Sequence, residues 1–120
     1  MTKALVVYPN GFMEEVNLEG YQHLKTLIGG MLEVIRFDDD TWVYIDEEGK
    51  YKSPRRVNAV ATSIATMLRA GLAEDDYIVG TAVFIGPADQ HGNDTDCPDR
   101  MFAFQVLYQS LCPEITHKGE

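Results

Sequence analysis

The sequence predicts an α+β domain, in which a mostly antiparallel sheet of about five strands carries three helices in the order β-β-α-β-β-α-β-α. Short apolar runs rich in β-branched residues recur along the chain, and most are joined by turns too short for a crossover helix. Three other segments repeat apolar residues at helical spacing. We expect the helices to cover one face of the sheet. The 120 residues suit one domain, placed at 1–112 with a flexible C-terminal tail at 113–120.

The first half of the chain predicts two hairpins with a helix between them, because two pairs of apolar runs are each closed by turn residues. The predicted strands are residues 3–8, 13–18, 31–37 and 42–45, and the predicted helix is 20–28. Gly29 and Gly30 end the helix, since glycine tolerates the left-handed conformation after a last turn. Trp42 and Tyr44 alternate with their neighbours and therefore share one face of their strand.

The second half predicts a helix at 57–68, a strand at 77–85 and a helix that begins near Pro98. The strand is apolar on both faces, which indicates a central place in the sheet. Within it, Gly80 marks a bulge or a close approach by another group. In the last helix, Phe104, Leu107 and Leu111 recur at helical spacing and are expected to face the core. Ala70-Gly71 suggests the end of the middle helix, and residues 73–76 an exposed acidic connection.

The charge balance excludes some classes of partner. Ten Lys and Arg against nineteen Asp and Glu give a net charge of −9, whereas nucleic acids and anionic membranes require clustered positive charge. No apolar run is long enough to span a bilayer, and no segment resembles a signal peptide. We therefore expect a cytoplasmic protein in which Cys97 and Cys112 are free thiols, although a disulfide between them stays open.

One segment departs from this acidic character. Residues 50–56, here called the basic loop, hold four of the ten Lys and Arg residues and precede a predicted helix N-terminus, where cationic side chains and free N–H groups attract anions. The candidate ligand-binding residues are Lys50, Tyr51, Lys52, Arg55, Arg56 and Asn58. Arginine would hold a phosphate by paired hydrogen bonds, and Tyr51 could stack on a base. Alternatively, these cations pair with surplus carboxylates such as Glu47 and Glu48.

No catalytic or metal-binding pattern emerges. His91, Asp94, Asp96 and Cys97 lie close in sequence, but their spacing matches neither a zinc site nor a calcium loop, which favours a polar loop. A nucleophilic cysteine would need a histidine base, and nothing in the sequence ties a histidine to either thiol. We therefore expect no enzyme, no catalytic residue, no metal and no cofactor.

An ordered set of segments resembles a known family. The segments are KALVVYP at 3–9, LIGGMLE at 27–33, YIDEEGK at 44–50, NA at 58–59, DYIVGTAVFIGP at 76–87 and DTDCP at 94–98. In order and spacing they are similar to a family of small proteins carried mainly by phages, plasmids and their bacterial hosts, which is catalogued as a domain of unknown function. The resemblance implies a mobile-element origin and the cytoplasm of a bacterial host cell. It brings no reaction and no catalytic residue.

Two functional hypotheses follow, from different classes. The first is a non-enzymatic phage or mobile-element accessory protein, an anti-defence protein that sequesters a nucleotide-like anion at the basic loop; a homo-oligomer could bring two loops together. The alternative is an acidic, DNA-mimic-like inhibitor of a host nuclease or transcription component. Its docking surface would be Asp38 to Asp40, Glu47, Glu48 and Glu74 to Asp76. An accessory protein without any ligand is the third possibility.

Overall fold

A computed structural model describes residues 2–37, 40–68 and 76–119 of the chain. Its strands are β1 (Thr2–Val7), β2 (Met13–Leu18), β3 (Leu32–Arg36), β4 (Trp42–Asp46) and β5 (Ala82–Ile85), and its helices are α1 (Tyr21–Ile28), α2 (Ala59–Met67) and α3 (Phe102–Leu111). Short 3₁₀ turns occupy Gly49–Tyr51 and Asp99–Met101. The element order and the α+β class are confirmed. The predicted stop at Ala70-Gly71 and residues 73–75 of the acidic connection lie outside the described residues.

The strands form one antiparallel sheet in the order β2-β1-β5-β4-β3. The central place predicted for β5 is confirmed, and all four of its residues are buried. The strand begins at Ala82, later than the predicted residue 77, because Gly80 has a φ of 82° that interrupts extended backbone. Before that break, Val79 makes only an isolated bridge to Val57.

Helices cover both faces of the sheet, so the prediction that they cover one face is wrong. On one face, Leu24 and Ile28 of α1 pack in a cluster with Val6 and Val83. On the other, α2 and α3 cover a cluster centred on Phe84. The physical reason is that the central strands β1 and β5 are apolar on both sides, and each side must be shielded from water.

The orientation of α3 also differs from the prediction. Phe104 packs against the core as expected, and Tyr108 does so as well, whereas Leu107 and Leu111 are exposed. Both sets of residues recur at helical spacing, so periodicity alone could not tell the inner face from the outer one.

The C-terminal segment lies beside the end of β1. The Asn10 side-chain amide donates to the His117 carbonyl over 2.8 Å, and Lys118 Nζ lies 5.7 Å from the centroid of the Tyr8 ring. The flexibility predicted for residues 113–120 stays a prediction, while these contacts place His117 and Lys118 beside Asn10 and Tyr8. Among the described helices, none has the length and apolar character needed to cross a bilayer.

Candidate ligand-binding cleft

A cleft of about 310 Å³ opens at one end of the sheet, where β1 and β4 end and β5 begins. Six separate parts of the chain enclose it: the residues after β1, the end of α1, the end of β4 with Gly49, the basic loop, residues 79–81 before β5, and the C-terminal residues Lys118 and Gly119. Because β1, β5 and β4 are adjacent and antiparallel, the last residues of β1 and β4 lie beside the first residue of β5, at the same end of the sheet. The fold therefore brings together residues that are far apart in sequence.

Three cationic side chains and one carboxylate line this cleft: Lys52, Arg56, Lys118 and Asp46. Lys118 lies over the Tyr8 ring and makes no ion pair with a described carboxylate. The backbone of Arg56 is fixed, since its carbonyl accepts a hydrogen bond from Gly80 N over 2.7 Å. Among the residues that line the cleft the positive charges outnumber the negative one, in contrast to the chain as a whole with its net charge of −9.

The remaining wall of the cleft is mostly apolar, formed by Leu27, Ile28, Pro54 and Val79. Thr81 also lines it, and no hydrogen bond to a described residue engages the Thr81 hydroxyl. A surface with an apolar wall and a few convergent polar groups is typical of small-molecule sites. The cleft can therefore hold an anionic group beside an apolar one.

Tyr8 contributes a neutral ring to the same cleft. Burial, together with the hydrogen bond that its hydroxyl donates to Glu14, raises the pKa of Tyr8 above its ordinary value. The phenol therefore stays protonated at physiological pH. It adds no negative charge next to Lys118.

Asp46 is the buried acid of the cleft, with a side chain only 5% exposed. It forms an ion pair with Lys52 and accepts a hydrogen bond from Glu48 N over 2.9 Å. A Cβ on Gly30 would lie 2.5 Å from this carboxylate, so only glycine fits there. The preceding Gly29 is the left-handed helix cap that was predicted, with a φ of 75°.

Half of the predicted ligand-binding residues lie elsewhere on the basic loop. Lys50 pairs with Asp76, which holds the pKa of that carboxyl below its ordinary value. Arg55 donates a hydrogen bond to the Tyr77 hydroxyl over 2.7 Å. The Tyr51 side chain points into solvent, and the residue is 87% exposed. Of the six candidates, the structure brings only Lys52 and Arg56 to the cleft. Lys50 pairs with Asp76 and Lys52 with Asp46, so neither lysine pairs with Glu47 or Glu48.

The sixth candidate, Asn58, is fully buried and has a structural role. Its side-chain oxygen accepts from Ala61 N over 3.0 Å at the start of α2. Its side-chain nitrogen donates to the carbonyls of Val7 and Gly80, over 2.9 and 2.8 Å. All three bonds are internal, so we leave Asn58 out of the candidate site. An asparagine one residue before a helix is itself the signal for this N-cap role.

A family model confirms the resemblance found in the sequence. A family model described as a domain of unknown function, DUF3846, matches residues 1–109. The chain belongs to this family. No curated protein and no solved structure shows a significant match to this chain.

The two cysteines of this DUF3846 family member are free thiols, Cys97 within the matched residues and Cys112 just after them. Cys97 is buried beside β1, where its backbone N donates to the Lys3 carbonyl over 2.8 Å. Burial raises the pKa of the Cys97 thiol to about 12, so almost no reactive thiolate forms near neutral pH. In the described part of the chain, no hydrogen bond joins a histidine to either thiol.

A thiol titration can check this difference. In the native protein at pH 7.5 to 8, Ellman's reagent should modify Cys112, which is half-buried, and leave Cys97 protected. In denaturant both thiols should react at similar rates. Cys112→Ser provides the control, because its native form should show almost no reaction; rapid modification of that variant would contradict the burial of Cys97.

Two acids of the polar loop before α3 accept hydrogen bonds from backbone N–H groups. Asp96 accepts a hydrogen bond from Lys3 N over 2.8 Å, and Asp89 accepts from the backbone N–H groups of His91 and Asn93. Within residues 2–37, 40–68 and 76–119, no three His, Cys, Asp or Glu side chains are grouped so that they could hold a metal ion.

Proposed function

We propose that this protein is a non-enzymatic binding protein that holds a nucleotide-like anion in the cleft. The observation that carries the proposal is the convergence of Lys52, Arg56 and Lys118, from two distant parts of the chain, on a cleft that contains one carboxylate. Three cationic side chains around one cleft contrast with the net charge of −9 of the chain as a whole. Guanidinium and ammonium groups together suit phosphate recognition.

The dimensions and lining of the cleft narrow the class of ligand. Its volume of about 310 Å³ lies near the lower end of the range of about 300–1,000 Å³ for small-molecule sites. That space suits one mononucleotide-sized anion rather than a cyclic trinucleotide. The apolar wall at Leu27, Ile28 and Pro54 would pack against a base or sugar, with the phosphate towards Arg56 and Lys118.

The biological setting is the finer part of the proposal. The resemblance to proteins of phages and plasmids supports an accessory role in the cytoplasm of a bacterial host. A binding protein without catalytic groups would act by sequestering its ligand, which suits an anti-defence protein that removes a nucleotide signal. Such a role requires affinity for the signal and no chemical change of it.

A thermal-shift screen tests the proposal. The purified protein would be heated with inorganic phosphate, AMP, cyclic mononucleotides, cyclic dinucleotides, cyclic trinucleotides and ADP-ribose. A ligand that binds only the folded state adds about 2.7 kcal/mol at ~100-fold excess over Kd, which raises Tm by roughly 10 °C in a domain of this size. We expect such a shift for a mononucleotide-sized phosphate and a smaller one for inorganic phosphate.

Two adjacent arginines provide a matched control. Arg56→Glu combined with Lys118→Glu should abolish the shift, because both side chains line the cleft. Arg55→Glu makes the same charge change as Arg56→Glu alone, one residue away but outside the cleft; it should retain the shift, whereas Arg56→Glu alone should reduce it. If Arg55→Glu abolished binding and the double variant retained it, the ligand would lie on the outer side of the basic loop.

An absence of any shift would favour the acidic protein-interaction inhibitor. Several of its predicted acids are engaged, since Asp40 pairs with Arg100 and Asp76 with Lys50, whereas Glu47 and Glu48 are exposed. The predicted residues 38, 39, 74 and 75 lie outside the described residues. A pull-down from bacterial lysate at low salt would then test this alternative.

A further inference from the structure

The outer face of α3 is apolar and exposed to solvent. Val106 is 66% exposed, Leu107 49% and Leu111 65%. With Ala103 and Ser110 they form one stripe, which we call the outer face of α3; its positions are separated by the three- and four-residue steps of a single helix face. None of the ten residues of α3 is charged.

Packing on the inner face of α3 does not explain why the outer face is apolar and uncharged. Phe104 and Tyr108 pack only partly against the core, and no residue of α3 is buried. Gln105 donates a hydrogen bond to the Met13 carbonyl over 3.2 Å, which ties the helix to β2. A surface helix normally carries charged or polar residues on its outer face, whereas the outer face of α3 carries Val106, Leu107 and Leu111. Its outer face therefore has the composition of an interface.

We propose that the outer face of α3 binds the same face of a second copy of this chain. The choice of partner follows from charge. Each copy carries a net charge of −9, so most pairs of surfaces repel each other when two copies approach. The outer face of α3 itself lacks charge, so the centre of a contact made there between two copies contains no carboxylate. A basic protein or a cationic surface would instead bind the acidic side chains elsewhere.

The spacing of the stripe fits a twofold arrangement. If two α3 helices pack antiparallel with the axis near Leu107, that leucine meets its own counterpart in the second copy. Leu111 then faces the small side chain of Ala103, and the reciprocal contact repeats on the other side of the axis. Large side chains opposite small ones allow close helix packing. One helix face is smaller than the roughly 800 Å² per partner of a standard interface, so we expect a weak, concentration-dependent dimer.

Sedimentation equilibrium measures this association directly. The protein, with a monomer mass of 13.5 kDa, should shift towards twice that mass as its concentration rises. Leu107→Glu places two carboxylates at the axis and should raise the dimer Kd at least tenfold, as should Leu111→Glu. Gln109→Glu adds the same charge to an exposed position outside the stripe and should leave the Kd within about twofold, because rim charges contribute little. Circular dichroism and Tm would confirm that each variant remains folded.

Salt dependence separates this dimer from an electrostatic one. Raising NaCl from about 50 mM to about 500 mM screens the repulsion between two acidic copies, so the dimer should tighten. The proposal would be overturned by a protein that stays monomeric up to about 0.5 mM, a concentration at which even weak interfaces of this kind associate. It would equally be overturned by a dimer that Leu107→Glu and Leu111→Glu leave intact.

Discussion

Replacement of Asn58 by alanine should lower the free energy of unfolding by about 3 kcal/mol, from a lost helix cap of about 1 kcal/mol and buried carbonyls left without a donor. The side chain is fully buried and makes three hydrogen bonds, to Val7, Gly80 and Ala61. Water cannot reach these groups to replace the lost bonds unless the structure opens. The cost therefore exceeds that of an ordinary surface cap.

Urea denaturation of three variants would measure this effect. Asn17→Ala removes an exposed asparagine from β2 and should change the stability by no more than about 0.5 kcal/mol. Asn58→Asp keeps the acceptor at the start of α2 but directs a carboxylate oxygen at two carbonyls, so it should destabilise about as much as alanine. If Asn58→Ala cost no more than Asn17→Ala, the three bonds would contribute nothing net, and the structural role assigned here would be wrong.

The same residue connects the fold to the cleft. Asn58 binds the carbonyl of Gly80, and Gly80 N donates to the carbonyl of Arg56. The loop that carries Arg56 is thus held against the start of β5 by bonds that converge on one glycine. Asn58→Ala should therefore weaken binding of the proposed anion as well as folding, although the Asn58 side chain does not line the cleft.

The sequence predicted the strands well because strand signals are local. Compact apolar runs closed by turn residues require only neighbouring residues to be recognised, and a strand apolar on both sides, such as β5, has one plausible place in a sheet. The placement of helices depends on distant partners. Phe104 and Leu107 both satisfy helical periodicity, and only the three-dimensional position of the core cluster decides which of them packs inward.

The candidate site was predicted only in part for the same reason. The basic loop is a local concentration of charge, and it contains Lys52 and Arg56, which do line the cleft. Lys118 and Tyr8 lie near opposite ends of the chain, and no sequence pattern connects them. In the folded protein, Lys118 Nζ lies 5.7 Å from the centroid of the Tyr8 ring. No sequence pattern indicated a role for Asp46 either. Gly30 leaves room for the Asp46 carboxylate, but in the sequence it was recognised only as part of a helix stop.

Replacement of Asp46 by asparagine should tighten anion binding while it destabilises the fold. The carboxylate lies in the cleft and engages Lys52, so it both repels an incoming anion and occupies a cation that could bind one. At an effective dielectric constant near 20, two charges about 4 Å apart interact by about 4 kcal/mol. With part of that screened by Lys52, we expect affinity to rise about tenfold, which corresponds to ~1.4 kcal/mol.

The opposite effect on stability makes this variant diagnostic. Asparagine can still accept from Glu48 N, but it loses the ion pair with Lys52, so the free energy of unfolding should fall by about 1 to 2 kcal/mol. Glu47→Gln is the matched control, because it removes the same charge from an exposed neighbour that does not line the cleft. If both variants tightened binding equally, net charge alone would explain the gain. A gain confined to Asp46→Asn would mean that a buried acid limits affinity in the cleft, where its ion pair with Lys52 also holds the basic loop against the sheet.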